Sequence, residues 1–301
     1  MILFLATQRR PRRLVPRSRD VDPTRSLQLR ARFVADAVRR LEQLKRWIRE
    51  SVVDQDCFGL QETPLVLAAA RPRQFAFRQD SEKASAFMEW LREQEALGIL
   101  ETTTGTPLEV GSPRPWVTTY VRSAYQKGLA QGRQDVRAAG VDVPSFEELP
   151  GGIAGVMNQP FHADRVALLY TRVFEDLKGV TSAMSAAINR ELAQAMVEGI
   201  GPYEMARRLT KQVDGVGMVR ARTIARTETI RAHNEAALSE YDAASVILGT
   251  EIKQQWWTAL DERVCPVCGP RHAKVYTREE GVGLLPAHPN CRCAWLPVLE
   301  E

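Results

Sequence analysis

No run of about 18 apolar residues occurs in the 301-residue chain, so no membrane-spanning helix is expected. The opening Met1–Thr7 is too short for the core of a secretory signal, and its arginines follow rather than precede it. Lacking that signal, the chain is expected in a reducing cytosol. Aromatic residues are scarce at 7%, which leaves a core built mainly from Leu, Val, Ala and Ile. Cysteine is scarce too. There are five, and four of them (Cys265, Cys268, Cys291 and Cys293) crowd together near the C-terminus, with Cys57 far away. Short spacings in a cytosolic chain suggest a metal rather than disulfides. The remaining composition, 44% hydrophobic and 26% charged, excludes a largely disordered, collagenous or low-complexity polymer.

Charge is unevenly spread. Residues 1–50 hold 14 Lys and Arg against 5 Asp and Glu, a balance of +9, whereas the whole chain carries only +4. The remainder is therefore mildly acidic, at −5. Residues 1–23 read as a flexible tail, with Arg9, Arg10, Arg12, Arg13 and Arg17 repelling one another and burying nothing. Such an arm suits contact with DNA phosphates, which needs charge and no base reading.

Periodicity then predicts a mainly helical chain. Asp22-Pro23 is a helix entry, and Leu27, Val34, Leu41 and Ile48 recur every seven residues along a helix of about 30 residues. Phe75 and Phe77 alternate like a short strand. Ser81 caps a helix carrying Phe87, Met88 and Leu91 that Gly98 ends. Residues 102–115 read as a loop or an exposed hairpin. A helix from Trp116 stops before Gly140, and residues 140–160, rich in Gly and Pro, read as the best boundary. Helices are expected over 161–178, 180–198 and 203–213, with Gly199-Ile200-Gly201-Pro202 as a break, and another over 217–244. Ile247–Thr258, with Trp256 and Trp257, reads as a strand. The organisation expected is a basic tail over 1–23, a mostly helical region over 24–150, and a final region over 151–301. The fold class is α+β: helical N-terminal and central regions and a small C-terminal α+β zinc-knuckle module.

That module carries the chemistry. Cys265-Pro266-Val267-Cys268-Gly269 is a knuckle whose tight turn brings two sulfurs to one side, glycine tolerating the backbone conformation required. His288, Cys291 and Cys293 follow. Five donors thus compete for four tetrahedral positions. Cys265, Cys268, His288 and Cys291 lead, and Cys293 is the main competitor. Thiolates with imidazole select Zn2+. A saturated shell with no glutamate after a ligand histidine argues for a structural ion rather than a catalytic one. His272 sits in a turn and reads as a surface histidine or one supporting the ligands. His233, on the preceding helix, also reads as a surface residue, while Arg226 and Glu228 are candidates for buried polar contacts to the zinc module.

Taken in order, Arg220–Glu228, Asn234-Glu235-Ala236, Trp257-Thr258-Ala259, Asp261–Cys268 and Pro286–Cys293 resemble the head morphogenesis proteins of tailed phages, the minor head proteins like the F protein of phage Mu. The similarity covers roughly residues 160–298. The resemblance implies a low-copy structural protein of the capsid interior with no catalytic residues. Such a protein associates with the portal vertex, capsid or scaffold, acts in head assembly, and touches or leaves with packaged double-stranded DNA. Its location would be the virion, after assembly in the host cytoplasm. The resemblance assigns metal-binding character to Cys265, Cys268, His288, Cys291 and Cys293, and a structural motif to Arg226, Thr227, Glu228, Asn234 and Asp261. With the chain ending at Glu301, no C-terminal enzyme or toxin fusion is expected. The competing reading is a zinc-containing enzyme, a nuclease or an ADP-ribosyltransferase-like toxin, against which stands the missing histidine–carboxylate pairing of an open site. A zinc-finger regulator is disfavoured because no basic recognition helix follows the module.

Overall fold

The computed structural model describes residues 22–60, 80–101 and 116–299. The basic arm with Arg9, Arg10, Arg12, Arg13 and Arg17, the expected strand at Phe75 and Phe77, and the expected loop over 102–115 lie outside these residues. Helix makes up 70% of the described residues, and a small antiparallel sheet lies near the C-terminus, the α+β arrangement expected. The chain groups into two compact units. Among described residues, unit 1 holds 22–31, 119–170 and 226–299, and unit 2 holds 32–60, 80–101, 116–118 and 171–225. No helix among the described residues is long and apolar enough to cross a membrane.

The first helix, α1, runs from Leu27 to Arg49 and continues as a π-helical turn over Glu50–Asp54. It starts later than Asp22-Pro23 suggests, yet Asp22 still caps it. The Asp22 Oδ2 accepts the Leu27 amide at 2.6 Å, meeting one of the donors left free at a helix start. The heptad series is corrected. Leu27 is exposed and Val34 half-buried, whereas Phe33, Ala37, Leu41, Leu44, Ile48 and Val52 form the buried stripe. A straight helix turns once per 3.6 residues, so a seven-residue repeat drifts about 20° each time and leaves the buried face.

In unit 2, this stripe packs with α2 (Asp80–Glu95), the C-terminal half of α5 (Pro160–Glu198) and α6 (Pro202–Gln212). Gly98 does not end α2. The chain passes through a π turn, Ala96–Leu100, and stops at Glu101 with a left-handed φ of 53°. Arg40 then ties this end down. Its guanidinium donates to the Gly98 carbonyl at 2.9 Å, pairs with Glu101 and lies 4.6 Å from the Trp116 ring centre. α5 is one helix of 39 residues rather than two, because a single glycine, Gly179, costs only about 1 kcal/mol in a helix and does not by itself end one. The break at 199–202 is as expected: Gly199 has φ +63° and Pro202 opens α6. Cys57 lies buried in this unit, and burial pushes its thiol up to about 12, which makes it an inert core residue.

In unit 1, α3 (Val117–Ala138) packs on α7 (Val219–Leu248). Gly128 and Gly132 make this possible. A Cβ at Gly128 would sit 2.2 Å from the His233 carbonyl oxygen, and one at Gly132 would sit 2.9 Å from the Ala237 Cα. A second core joins α7 to the strands β1 (Lys253–Trp257), β2 (Val275–Tyr276) and β3 (Ala294–Val298). The sheet is antiparallel with order β2-β1-β3. The expected strand is shorter than 247–258, since Ile247 and Leu248 belong to α7. Trp256 opposes Trp295 across the ladder with their rings edge to face at 5.3 Å, and Tyr276 completes the cluster.

Candidate metal centre

The two cysteine-bearing turns hang from this sheet. After β1 the chain forms Cys265–Cys268, a tight turn closed by the Cys268 and Gly269 amides on the Cys265 carbonyl at 3.1 and 3.0 Å. The Cys268 amide also faces the Cys265 sulfur at 3.3 Å. Gly269 is not required by backbone strain: its φ is not in the left-handed region, and a Cβ would meet only Val264 at 3.8 Å. The residue with positive φ lies in the other turn. In His288-Pro289-Asn290-Cys291 the Cys291 amide donates to the His288 carbonyl at 3.1 Å, and Asn290 has φ 61°. Proline second and a left-handed asparagine third make a type II turn, which places His288 and Cys291 on one side.

All five expected donors come together in two overlapping groups that share Cys268. One is Cys265, Cys268 and His288; the other is Cys268, Cys291 and Cys293. His288 Nε2 lies 3.1 Å from the Cys265 sulfur and 3.3 Å from that of Cys268, and the Cys268 and Cys291 sulfurs are 3.9 Å apart. A tetrahedral shell with metal–sulfur bonds of ~2.3 Å and metal–nitrogen bonds of ~2.0 Å sets its donors ~3.5–3.8 Å apart. The spacing therefore fits a metal ion. The histidine tautomer fits as well. His288 Nδ1 lies 2.9 Å from the Pro289 carbonyl, which only accepts, so Nδ1 carries the proton and the Nε2 lone pair faces the thiols.

The electrostatics separate the sulfurs. A hydrogen bond from Cys293 holds the Cys291 thiol down to about 5, and the same bond, together with burial, pushes Cys293 up. Burial raises Cys268 to about 12. Burial opposes ionisation of Cys265 as well, but hydrogen bonds from the Cys268 amide and thiol outweigh it and hold this thiol below its usual value.

The motif residues on α7 serve these turns. The Thr227 hydroxyl oxygen accepts the Asn290 amide at 2.9 Å. The Asn234 amide donates to the Cys293 carbonyl at 3.1 Å while its oxygen accepts the Trp295 amide at 3.0 Å. The Tyr241 hydroxyl donates to the Trp295 carbonyl at 3.1 Å. These three residues are seven apart and share one helix face. Tyr241 was missed from sequence; its spacing from Thr227 and Asn234 was the signal. Arg226 behaves otherwise than expected, whereas Glu228 is buried as a candidate for such contacts must be. Arg226 is exposed, and the buried Glu228 pairs with Arg231 at 3.1 Å on its own helix. Asp261 takes the Arg292 guanidinium in two bonds of 2.6 Å, which pins the residue between the last two cysteines. His272 stands apart from both donor groups. Its Nδ1 faces the Thr258 hydroxyl and amide, and its ring lies 4.5 Å from Trp257. His233 is not a surface residue: it is 2% exposed.

Residues 186–296 match the family of Phage Mu protein F like proteins. The match starts within α5, later than residue 160, and ends within β3. It takes in every element of the centre, so the resemblance to phage head morphogenesis proteins holds over this segment. No curated protein and no solved structure matches the chain. The matched segment thus contains a Cys/His cluster able to hold a metal ion, with Thr227 and Asn234 bonded to the backbone of its second turn and the residues after it.

Proposed function

We propose that this protein is a structural minor head component of a tailed phage or prophage. It sits inside the capsid at the portal vertex, contacts portal and capsid or scaffold proteins, and acts in head assembly. Its arm, with Arg9, Arg10, Arg12, Arg13 and Arg17, contacts packaged double-stranded DNA, and residues 151–301 form its Mu F-like region. The centre holds one structural Zn2+ through Cys265, Cys268, His288 and Cys291, while the Cys293 thiol donates to the Cys291 sulfur. The chemistry such an ion supplies is cross-linking: it staples two turns that bury little core by themselves.

The observation that carries this reading is how α7 spends its motif residues. Thr227 and Asn234 are committed to backbone groups of the 290–295 segment, which leaves them holding a fold rather than facing a substrate. The donor groups supply thiols and one imidazole and include no carboxylate among the described residues. A zinc hydrolase needs a base beside an open position.

Mass spectrometry of purified particles is expected to find this chain at low copy beside the portal protein; particles assembled normally without it would overturn the head reading. Elemental analysis of the purified chain is expected to give about one zinc. Cys291→Ser should lower that content and Cys293→Ser should leave it near one. Equal losses would reassign the fourth ligand.

A further inference from the structure

The five donors of the metal centre make two triangles with one corner in common. Cys265, Cys268 and His288 form the first, and Cys268, Cys291 and Cys293 the second. Within each triangle the donor atoms all lie within 4.8 Å of one another, and no fourth donor lies that close to all three members of either. Short edges meet at the shared corner: the Cys268 sulfur is 3.3 Å from His288 Nε2 and 3.9 Å from the Cys291 sulfur. A single four-coordinate ion has to draw the far corners of the two triangles together, and it leaves one donor idle. Two three-coordinate ions use all five donors with each triangle as it stands.

The chemistry of the donors decides which ion suits three of them. Zinc completes a tetrahedron, so in a triangle it needs water as a fourth ligand. Cys268, Cys291 and Cys293 are all buried, in one core with Trp256, Leu285 and Trp295, where water is a poor ligand to rely on. Copper(I) is a soft ion that thiolates and imidazole satisfy without water. A planar three-coordinate ion with metal–sulfur bonds of ~2.3 Å sets its sulfurs ~4.0 Å apart. The Cys268–Cys291 edge, at 3.9 Å, has that length. The outer corners are also braced. The Cys268 amide faces the Cys265 sulfur at 3.3 Å, and Asn234 holds the Cys293 carbonyl at 3.1 Å.

We propose that the centre also takes two copper(I) ions, one in each triangle, bridged by the Cys268 thiolate. This rests on the metal-binding reading above and adds a second class of ion to the same donors. Cys293, which stands outside the zinc shell, becomes a ligand in the copper-loaded form.

The test loads the metal-free full chain under nitrogen, with Zn2+ in one series and with copper(I), supplied as its acetonitrile complex against the competing chelator bicinchoninate, in another. The parent is expected to hold about one zinc or about two copper ions, the latter with a copper–copper vector in the X-ray absorption spectrum. Cys293→Ser breaks only the second triangle, so it should keep its zinc and fall to about one copper, with that vector lost. His288→Gln breaks only the first, and should lower zinc and also fall to about one copper. Cys57→Ser, a buried thiol in the other unit, should change neither count. Tryptophan emission of the zinc-loaded Cys293→Ser chain checks that it folds as the parent does. If the parent takes one zinc and one copper, or if Cys293→Ser still takes two coppers, the bridged pair is overturned and the metal centre stands. A loss of copper in Cys57→Ser places the second ion elsewhere and overturns the pair too. If the parent holds neither metal, both readings fall.

Discussion

Burial, with Lys127 and Arg30 nearby, pushes the His233 imidazole down to about 3, and neither ring nitrogen has a partner among the described residues. The unfolded chain takes up this proton near pH 6.5, whereas the folded chain resists it until about 3. Stability from this residue is thus full above 6.5 and is lost as pH falls toward 3. His233→Phe should flatten that loss, measured as urea midpoints between pH 7 and 4; an unchanged acid limb would place the sensitivity elsewhere. Glu95 runs the opposite way. Burial raises it to about 7, although Ser185 donates to it at 2.8 Å. Its contribution is fully present below about 4.5 and lost as pH rises through 7. Glu95→Gln should therefore raise the melting temperature at pH 8, by an effect on the order of 3 kcal/mol at most, and leave it nearly unchanged at pH 4. No gain at pH 8 would show that the carboxylate is better solvated than its 3% exposure implies.

At the scale of elements, the α3–α7 crossing depends on two absent side chains. Gly128→Ala gains about 1 kcal/mol of helix propensity, but its Cβ meets backbone, the His233 carbonyl, which cannot rotate away. Overpacking of this kind costs about 1–3 kcal/mol or more, so the net effect should be destabilising, whereas Ala at the open position Gly179 should be neutral or stabilising. Chemical denaturation of the two variants compares them directly. Nothing in the local sequence marked Gly128, because helical periodicity is read from apolar residues and a glycine contact is set by the partner helix. The same reasoning sorts the rest. α3, the break at Gly199–Pro202 and the tryptophan strand were legible, since each carries its own local signal. The single α5 and the drifting stripe of α1 were not, being decided by packing around a helix rather than by residue type. In the centre, donor types and spacing were plain from sequence. The bonding of Thr227, Asn234 and Tyr241 to segments more than 50 residues away was not, because it exists only once α7 lies along β3.

For the molecule as a whole, the consequence of metal loss is set by how little else holds residues 258–293. Between β1 and β3 the regular elements are β2, two short helical turns (Gly269–Arg271 and Arg278–Gly281) and the two cysteine turns. Such a segment buries too little to offset its chain entropy, of order 1–2 kcal/mol per ordered residue, without a cross-link. Chelation is therefore expected to release the turns first and then the backbone bonds that Asn234 makes to Cys293 and Trp295. Helix dominates the far-ultraviolet signal, so that signal should barely change. Tryptophan fluorescence should change, since Trp256 and Trp295 are packed together in the sheet core and are 0% and 2% exposed. Asn234→Asp should mimic part of this with the metal present. It keeps the acceptor for the Trp295 amide but loses the donor to the Cys293 carbonyl and buries a charge, a cost of about 3 kcal/mol. Hydrogen exchange of the 290–298 amides reads both perturbations. If chelation leaves that protection and the tryptophan emission intact, the turns are held by packing alone and the ion is no staple.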